Sequence, residues 1–146
     1  MPTSLIAEDS LRIILQASPT ATAYWSRDLI CRFANDAHRD WFGIEASAMV
    51  GMKFDKLLSP ARYAKVKPFI DRVLAGTMCE YEVEVQRPGG HRCPTLIRYT
   101  PHAVDGGVVG FIAEATDVTL LDRMHADLAR ILDQQKRTEA LLKHSQ

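Results

Sequence analysis

The side chains best suited to chemistry in this sequence are five histidines, three cysteines and a run of alternating glutamates. His38, His91, His102, His125 and His144 are scattered, with none of the short spacings that hold a metal ion, so no metal site is expected. Cys31, Cys79 and Cys93 contain no CxxC pair, and an odd number of isolated thiols fits small core residues in a reducing cytoplasm. Glu80, Glu82 and Glu84 alternate with Cys79, Tyr81, Val83 and Val85, which reads as the solvated face of a strand rather than a cation site. The chain has no Gly-rich phosphate loop and no nucleophile paired with a base. These residues are therefore not expected to catalyse a reaction.

The composition narrows the class further. The 146 residues suit one domain with appendages, and 47% hydrophobic with 25% charged residues is the balance of a soluble globular protein. Eighteen basic and 18 acidic residues give a formal net charge of +0, so no overall field draws the chain to nucleic acid or to an anionic membrane. Apolar runs such as "VVGFIA" are far too short to span a bilayer. The start, "MPTSLIAEDS", has acidic residues and no basic flank before a long apolar core, unlike a signal peptide, and a cytoplasmic location is expected.

The elements that must position any site follow from local pattern. Residues 4–17 carry Leu11, Ile14 and Leu15 at helical spacing, and Ser18-Pro19 stops that helix. "ATAYWS" and "ICRFAN" are β-rich and closely joined, which predicts a hairpin. Asn35 is expected to cap a helix over "DAHRDWF", ended by Gly43, and "EASAMVG" predicts another helical turn closed by Gly51. Ser59-Pro60 starts a helix expected to run to Gly76, with Tyr63, Val66, Phe69, Ile70, Val73 and Leu74 as its apolar face and a kink at Pro68. The alternation at 79–86 predicts a half-buried strand with Cys79, Tyr81, Val83 and Val85 inward and Glu82 outward. "PGG" and "DGG" then turn the chain into two more antiparallel strands. The fold class is α+β: a five-stranded antiparallel sheet with short helices on one face, an N-terminal helix and a long C-terminal helix.

This order, with "YWSRDLICRFAN", "WFG", "VG", "RPGG" and "DGGVVGFIAEATDVT", resembles the PAS domain, the sensory module of signalling proteins. The resemblance covers roughly residues 10–120 and divides the chain into an N-terminal helix (1–18), a PAS domain (19–119) and a signalling helix of coiled-coil type (120–146). It implies that Asp117 and Thr119, in the D-x-T of "TDVT", form the junction between the last strand and an output helix. Thr119 is expected to cap that helix, with Asp122 completing a capping-box arrangement. Beyond it Leu121, Met124, Leu128, Ile131, Gln135, Thr138 and Leu142 repeat in steps of three and four, a heptad seam that calls for a partner chain. A homodimer through this helix, and through the helix at 4–17, is expected.

The tail, "QKRTEALLKHSQ", is similar to the stretch before the phosphoacceptor helix of bacterial sensor histidine kinases. That likeness implies a cytoplasmic sensor and dimerisation module governing a C-terminal kinase domain in two-component signalling. Neither His125 nor His144 is followed by the acidic residue of a phosphoacceptor motif, so the phosphorylated histidine would lie further on. The other outputs consistent with the sequence are a cyclic-dinucleotide enzyme and a ligand-independent dimerisation or docking role.

Phe33, His38, Trp41, Phe69, Tyr81, Ile97 and Tyr99 are the candidates to line a small-molecule pocket, and they would equally fill a core that holds no ligand. Haem-binding members of the family use a histidine on the long helix, and residues 60–76 contain none. Cys31-Arg32-Phe33 resembles the photoactive cysteine motif of flavin-binding members, but it falls on the second strand instead of a helix. Neither haem nor flavin is expected, and the identity of any ligand stays open.

Overall fold

The computed structural model describes residues 2–144, with side chains from Ala7 onward. Helix α1 (Pro2–Ala17) leads into a hairpin of β1 (Ala21–Ser26) and β2 (Cys31–Ala34). Two short helices, α2 (Ala37–Phe42) and α3 (Ala46–Met49), and a single 3₁₀ turn (Phe54–Lys56) precede the longer α4 (Pro60–Leu74). Strands β3 (Cys79–Gln86), β4 (Arg92–Val104) and β5 (Gly107–Asp117) follow, and α5 (Thr119–His144) ends the described chain.

All five strands form one antiparallel sheet in the order β2-β1-β5-β4-β3. The first hairpin is thus joined to the last three strands by pairing of β1 with β5, across the full helical section of the sequence. On the inner face, Trp25, Cys31, Met49, Phe54, Ile70, Val73, Tyr99 and Phe111 form the main buried cluster. Ala21, Ala37, Trp41, Val85, Cys93 and Ala115 form a second cluster, and Ile97 packs against both. Helix α4 begins as expected: the Ser59 hydroxyl accepts the Arg62 N–H at 3.3 Å and Pro60 occupies the first turn. Gly43 ends α2 in the left-handed conformation at φ 74°.

Four local expectations are corrected. Asn35 does not cap α2: Asp36 stands at the cap position, and the Asn35 side chain is turned back into the fold. Val83 is 39% exposed, although it shares its face of β3 with the buried Cys79 and Val85. It stands on the edge strand, at a stretch that borders an open cavity rather than a packed helix. Phe33 lies on the outer face of the sheet: it pairs with Tyr24, whereas Trp25 faces inward and pairs with Cys31. A register irregularity between Tyr24 and Trp25 breaks the period of two, so Cys31 and Ala34 are both buried and Phe33 is turned away. At the start of α5, Thr119 is the first helical residue, and the acceptor at the helix start is Asp117.

Candidate functional site

The inner face of the sheet is shallow at its centre. Ala21 pairs with Ala115, and Ala23 with Ala113, so the two central strands present four small side chains where larger ones would meet α4. A cavity of about 720 Å³ lies over this floor, walled by α4 on one side and by β3 and β4 on another. That volume is within the roughly 300–1,000 Å³ typical of sites for small organic ligands.

Of the seven residues predicted for a pocket, His38, Phe69, Tyr81, Ile97 and Tyr99 line this cavity. Phe33 is on the opposite face of the sheet. Trp41 is buried behind the cavity wall, where its indole N–H donates to the Pro19 carbonyl at 2.8 Å and the Arg87 guanidinium lies 4.1 Å from its ring centre. The pattern-based reading missed the alanine floor and the cations Arg62 and Lys65 of α4, which also line the cavity. The alternating alanines of "ATAYW" and "FIAEAT" were the available sign of that floor.

Aromatic rings build the wall. Phe69 stacks on Tyr81 at 4.5 Å between centroids, and Tyr81 meets Tyr99 edge-on at 5.8 Å. The two phenol oxygens are 2.8 Å apart. One hydroxyl donates to the other, which leaves a single O–H free to donate elsewhere. Burial pushes both phenols above their ordinary ionisation range, so the pair is neutral throughout the physiological range.

His38 is held by Asn35. Its Nδ1 lies 3.1 Å from the Asn35 backbone oxygen and 3.2 Å from Asn35 Oδ1. The Asn35 amide orientation follows from its neighbours: Oδ1 accepts the Thr22 N–H, while Nδ2 donates to the carbonyls of Leu15 and Thr20. Both partners of Nδ1 are therefore acceptors, so Nδ1 carries the proton and Nε2 keeps its lone pair. Burial lowers the imidazole pKa, favouring this neutral form. Asn35 thus connects the cavity wall to the last turn of α1, which is further tied by the Asp36 N–H donating to Gln16 Oε1 at 2.7 Å.

The second feature is the junction. Asp117 Oδ1 accepts both the Thr119 N–H, at 2.8 Å, and the Thr119 hydroxyl, at 2.6 Å. These bonds, the hydroxyl's first, hold the Asp117 carboxyl below the usual carboxylate range. Between the two, Val118 is buried and its N–H donates to the Pro94 carbonyl of β4 at 3.0 Å. The strand-to-helix turn therefore contains one non-repetitive residue, pinned by its own backbone and flanked by a capping pair. Beyond it α5 has no buried residue: Leu121, Met124, Leu128, Ile131 and Leu142 of the seam are each at least half exposed. At 1.5 Å per residue, this 26-residue helix is about 39 Å long.

Among the described residues, no group of three or more His, Cys, Asp or Glu could hold a metal ion, and no helix is long and apolar enough to cross a membrane. The family described as the PAS fold matches residues 15–123. The chain belongs to this family; a PAS domain is a sensor module and is not itself catalytic. No curated protein matches it. Among solved structures, it is similar to the PAS domain of Bordetella pertussis BvgS, at 22% identity over 90% of this chain and 98% of that one, with a TM-score of 0.63. It is similar also to the PAS domain of the Cronobacter turicensis quorum-sensing receptor RpfR in complex with BDSF, at 18% identity over 70% and 96% of the two chains and a TM-score of 0.54. The Vibrio cholerae VqmA dimer shares 19% identity over 76% of this chain and 52% of its own, with a TM-score of 0.60. At these identities the likeness is one of fold.

Proposed function

We propose that this chain is a cytoplasmic sensor and dimerisation module that regulates a C-terminal histidine kinase in two-component signalling, with α5 as its output helix. The observation that carries this reading is the exposed heptad stripe of α5, joined to β5 through Asp117 and Thr119 without a flexible linker. A flexible join would absorb a displacement of the sheet; a capped and pinned one passes it to the helix. The stripe becomes buried when two copies of α5 pair, and each apolar seam residue then contributes about 1.5–3 kcal/mol. The cavity over β1 and β5 supplies a place where a bound molecule would bear on β5, the strand that leads to the helix.

Parallel pairing in register is favoured by the two polar seam positions. It sets Gln135 against Gln135 and Thr138 against Thr138, so polar groups meet polar groups. An antiparallel arrangement centred on Ile131 would place Gln135 beside Leu128 and desolvate its amide without a partner. Parallel helices also suit an output in which two kinase domains begin side by side.

The test is sedimentation of the wild type and of a Leu128→Asp/Ile131→Asp double variant. The wild type is expected to be a dimer. The variant places like charges in the middle of the seam and is expected to be a folded monomer, with the circular dichroism of its β-sheet retained. A variant dimer as tight as the wild type would overturn the reading of α5 as the dimerising output helix.

A further inference from the structure

The four cations of α4 are not equivalent. Lys67 pairs with Asp71 at 3.2 Å, and the Arg72 guanidinium lies 5.4 Å from the Phe69 ring centre. Arg62 and Lys65, one helical turn apart, make no ion pair among the described residues, and both line the cavity. The cavity has no acid to answer them. Glu82 and Glu114 border it, but each alternates with inward residues: Glu82 stands between Tyr81 and Val83, and Glu114 between Ala113 and Ala115. Their carboxylates therefore belong to the outer face of the sheet. The remaining wall is apolar or aromatic, with neutral polar groups from the Tyr81–Tyr99 hydroxyl pair, His38 and, at the end of β3, Gln86.

An uncompensated pair of cations over an apolar chamber selects one chemical class. A cationic ligand would be repelled at the rim. A neutral apolar ligand would gain nothing from the two charges. An organic anion with an apolar body satisfies both parts: its body replaces water against Phe69 and Tyr81, while its charge meets Arg62 and Lys65 at the solvent side, where desolvation is small. We infer that the cavity is a binding site for an organic monocarboxylate, its apolar body held among Phe69, Tyr81, Tyr99 and Ile97 and its carboxylate by Arg62 and Lys65. This deepens the sensor reading proposed above and rests on it for biological meaning, but its physical test is separate.

The test is calorimetric titration of the 146-residue chain with three probes of one shape: naphthalene-2-carboxylate, naphthalene-2-carboxamide and naphthalene-2-methylammonium. The carboxylate is expected to bind at least about tenfold more tightly than the other two. An Arg62→Gln/Lys65→Gln variant is expected to lose about tenfold in carboxylate affinity and to keep carboxamide affinity within about twofold. A Lys53→Gln/Lys56→Gln variant, with the same change in net charge but no part in the cavity wall, is expected to match the wild type. Equal binding of carboxylate and carboxamide, preference for the ammonium, or unchanged carboxylate affinity in the Arg62/Lys65 variant would overturn the assignment. Failure of all three probes to bind would overturn it as well, and would leave the dimerisation result of α5 standing or falling on its own sedimentation data.

Discussion

The hydroxyls of Tyr81 and Tyr99 are hydrogen-bonded at 2.8 Å across neighbouring strands, with both rings in the cavity wall, Tyr81 half-buried and Tyr99 buried. The pair is not directly opposite in the ladder: Tyr81 faces Ile97, and Tyr99 faces Cys79. It is a diagonal contact, within the reach of long side chains. Replacing Tyr99 with Phe removes one partner and leaves the Tyr81 hydroxyl to the cavity alone, so a loss of about 1 kcal/mol in urea unfolding is expected. Both pKa values are raised, so the folded state favours the protonated phenols. Stability from them is complete below the ordinary tyrosine value of about 10 and is lost as pH rises beyond it. Stability profiles of wild type and Tyr99→Phe should converge in alkali; parallel profiles would refute the coupling.

His38 gives the opposite sign. Its pKa is depressed by burial, so its contribution is present above the ordinary histidine value of about 6.5 and is lost as pH falls through the lower folded value. The denaturant midpoint is expected to fall in that acidic window for the wild type and to fall less steeply for His38→Gln. NMR titration of the imidazole checks the cause directly: a pKa at or above the ordinary value would contradict it.

Asn35 is fully buried and uses its side-chain amide on three backbone groups, in α1, in β1 and in the turn between them. Asn35→Ala leaves those groups without their partner and is expected to cost about 3 kcal/mol. Asn35→Asp keeps the acceptor for Thr22 but sets a carboxylate oxygen against the Leu15 and Thr20 carbonyls, and should be at least as damaging. Because the amide holds the end of α1, proteolysis between residues 15 and 20 should accelerate in both variants before the sheet unfolds.

How much of this was legible in the sequence varies with the distance over which each cause acts. The half-buried strand at 79–86, the Ser59-Pro60 helix start and the heptad of α5 depend on neighbours a few residues away, and their residue types declare them. Phe33 was misplaced because one irregularity between Tyr24 and Trp25 shifts the pairing, which no period-two count can detect. Asn35 looks like a helix cap from its position before α2; its actual partners are Leu15, Thr20 and Thr22, brought there by tertiary packing. The cavity was only half visible. Its aromatics stand out in sequence, but its volume comes from alanines that matter because of what they omit, and because β1 and β5, distant in the chain, are adjacent in the sheet.

Gly110 offers a test of the outer face. A Cβ there would meet the Tyr24 hydroxyl and would lie 2.6 Å from the Trp25 carbonyl oxygen, which is backbone and cannot swing aside. Gly110→Ala is expected to cost about 1–3 kcal/mol and to displace the Tyr24 ring from His102, whose Nδ1 lies 2.7 Å from the Tyr24 oxygen. Thermal unfolding and the His102 ring resonances report the two effects. An unchanged melting temperature would mean that β1 and β5 are less tightly apposed than their register indicates.

In the proposed dimer, the polar layer of α5 should set the geometry at some cost in strength. Replacing Gln135 with Ile and Thr138 with Leu converts the second half of the seam to continuous apolar positions. Burial of these larger apolar groups should tighten association, by about 1.5–3 kcal/mol for each fully buried side chain. The same change removes the penalty that disfavours antiparallel pairing and shifted registers, because Leu128 would then face an apolar residue in either arrangement. The variant is therefore expected to sediment as a tighter oligomer and to lose uniqueness of register. Spin labels at an exposed position outside the seam, such as Lys136, should give one narrow interchain distance in the wild type and a broad or split distribution in the variant. A narrow, wild-type distance in the variant would show that the PAS domains, rather than Gln135 and Thr138, dictate how the two helices meet.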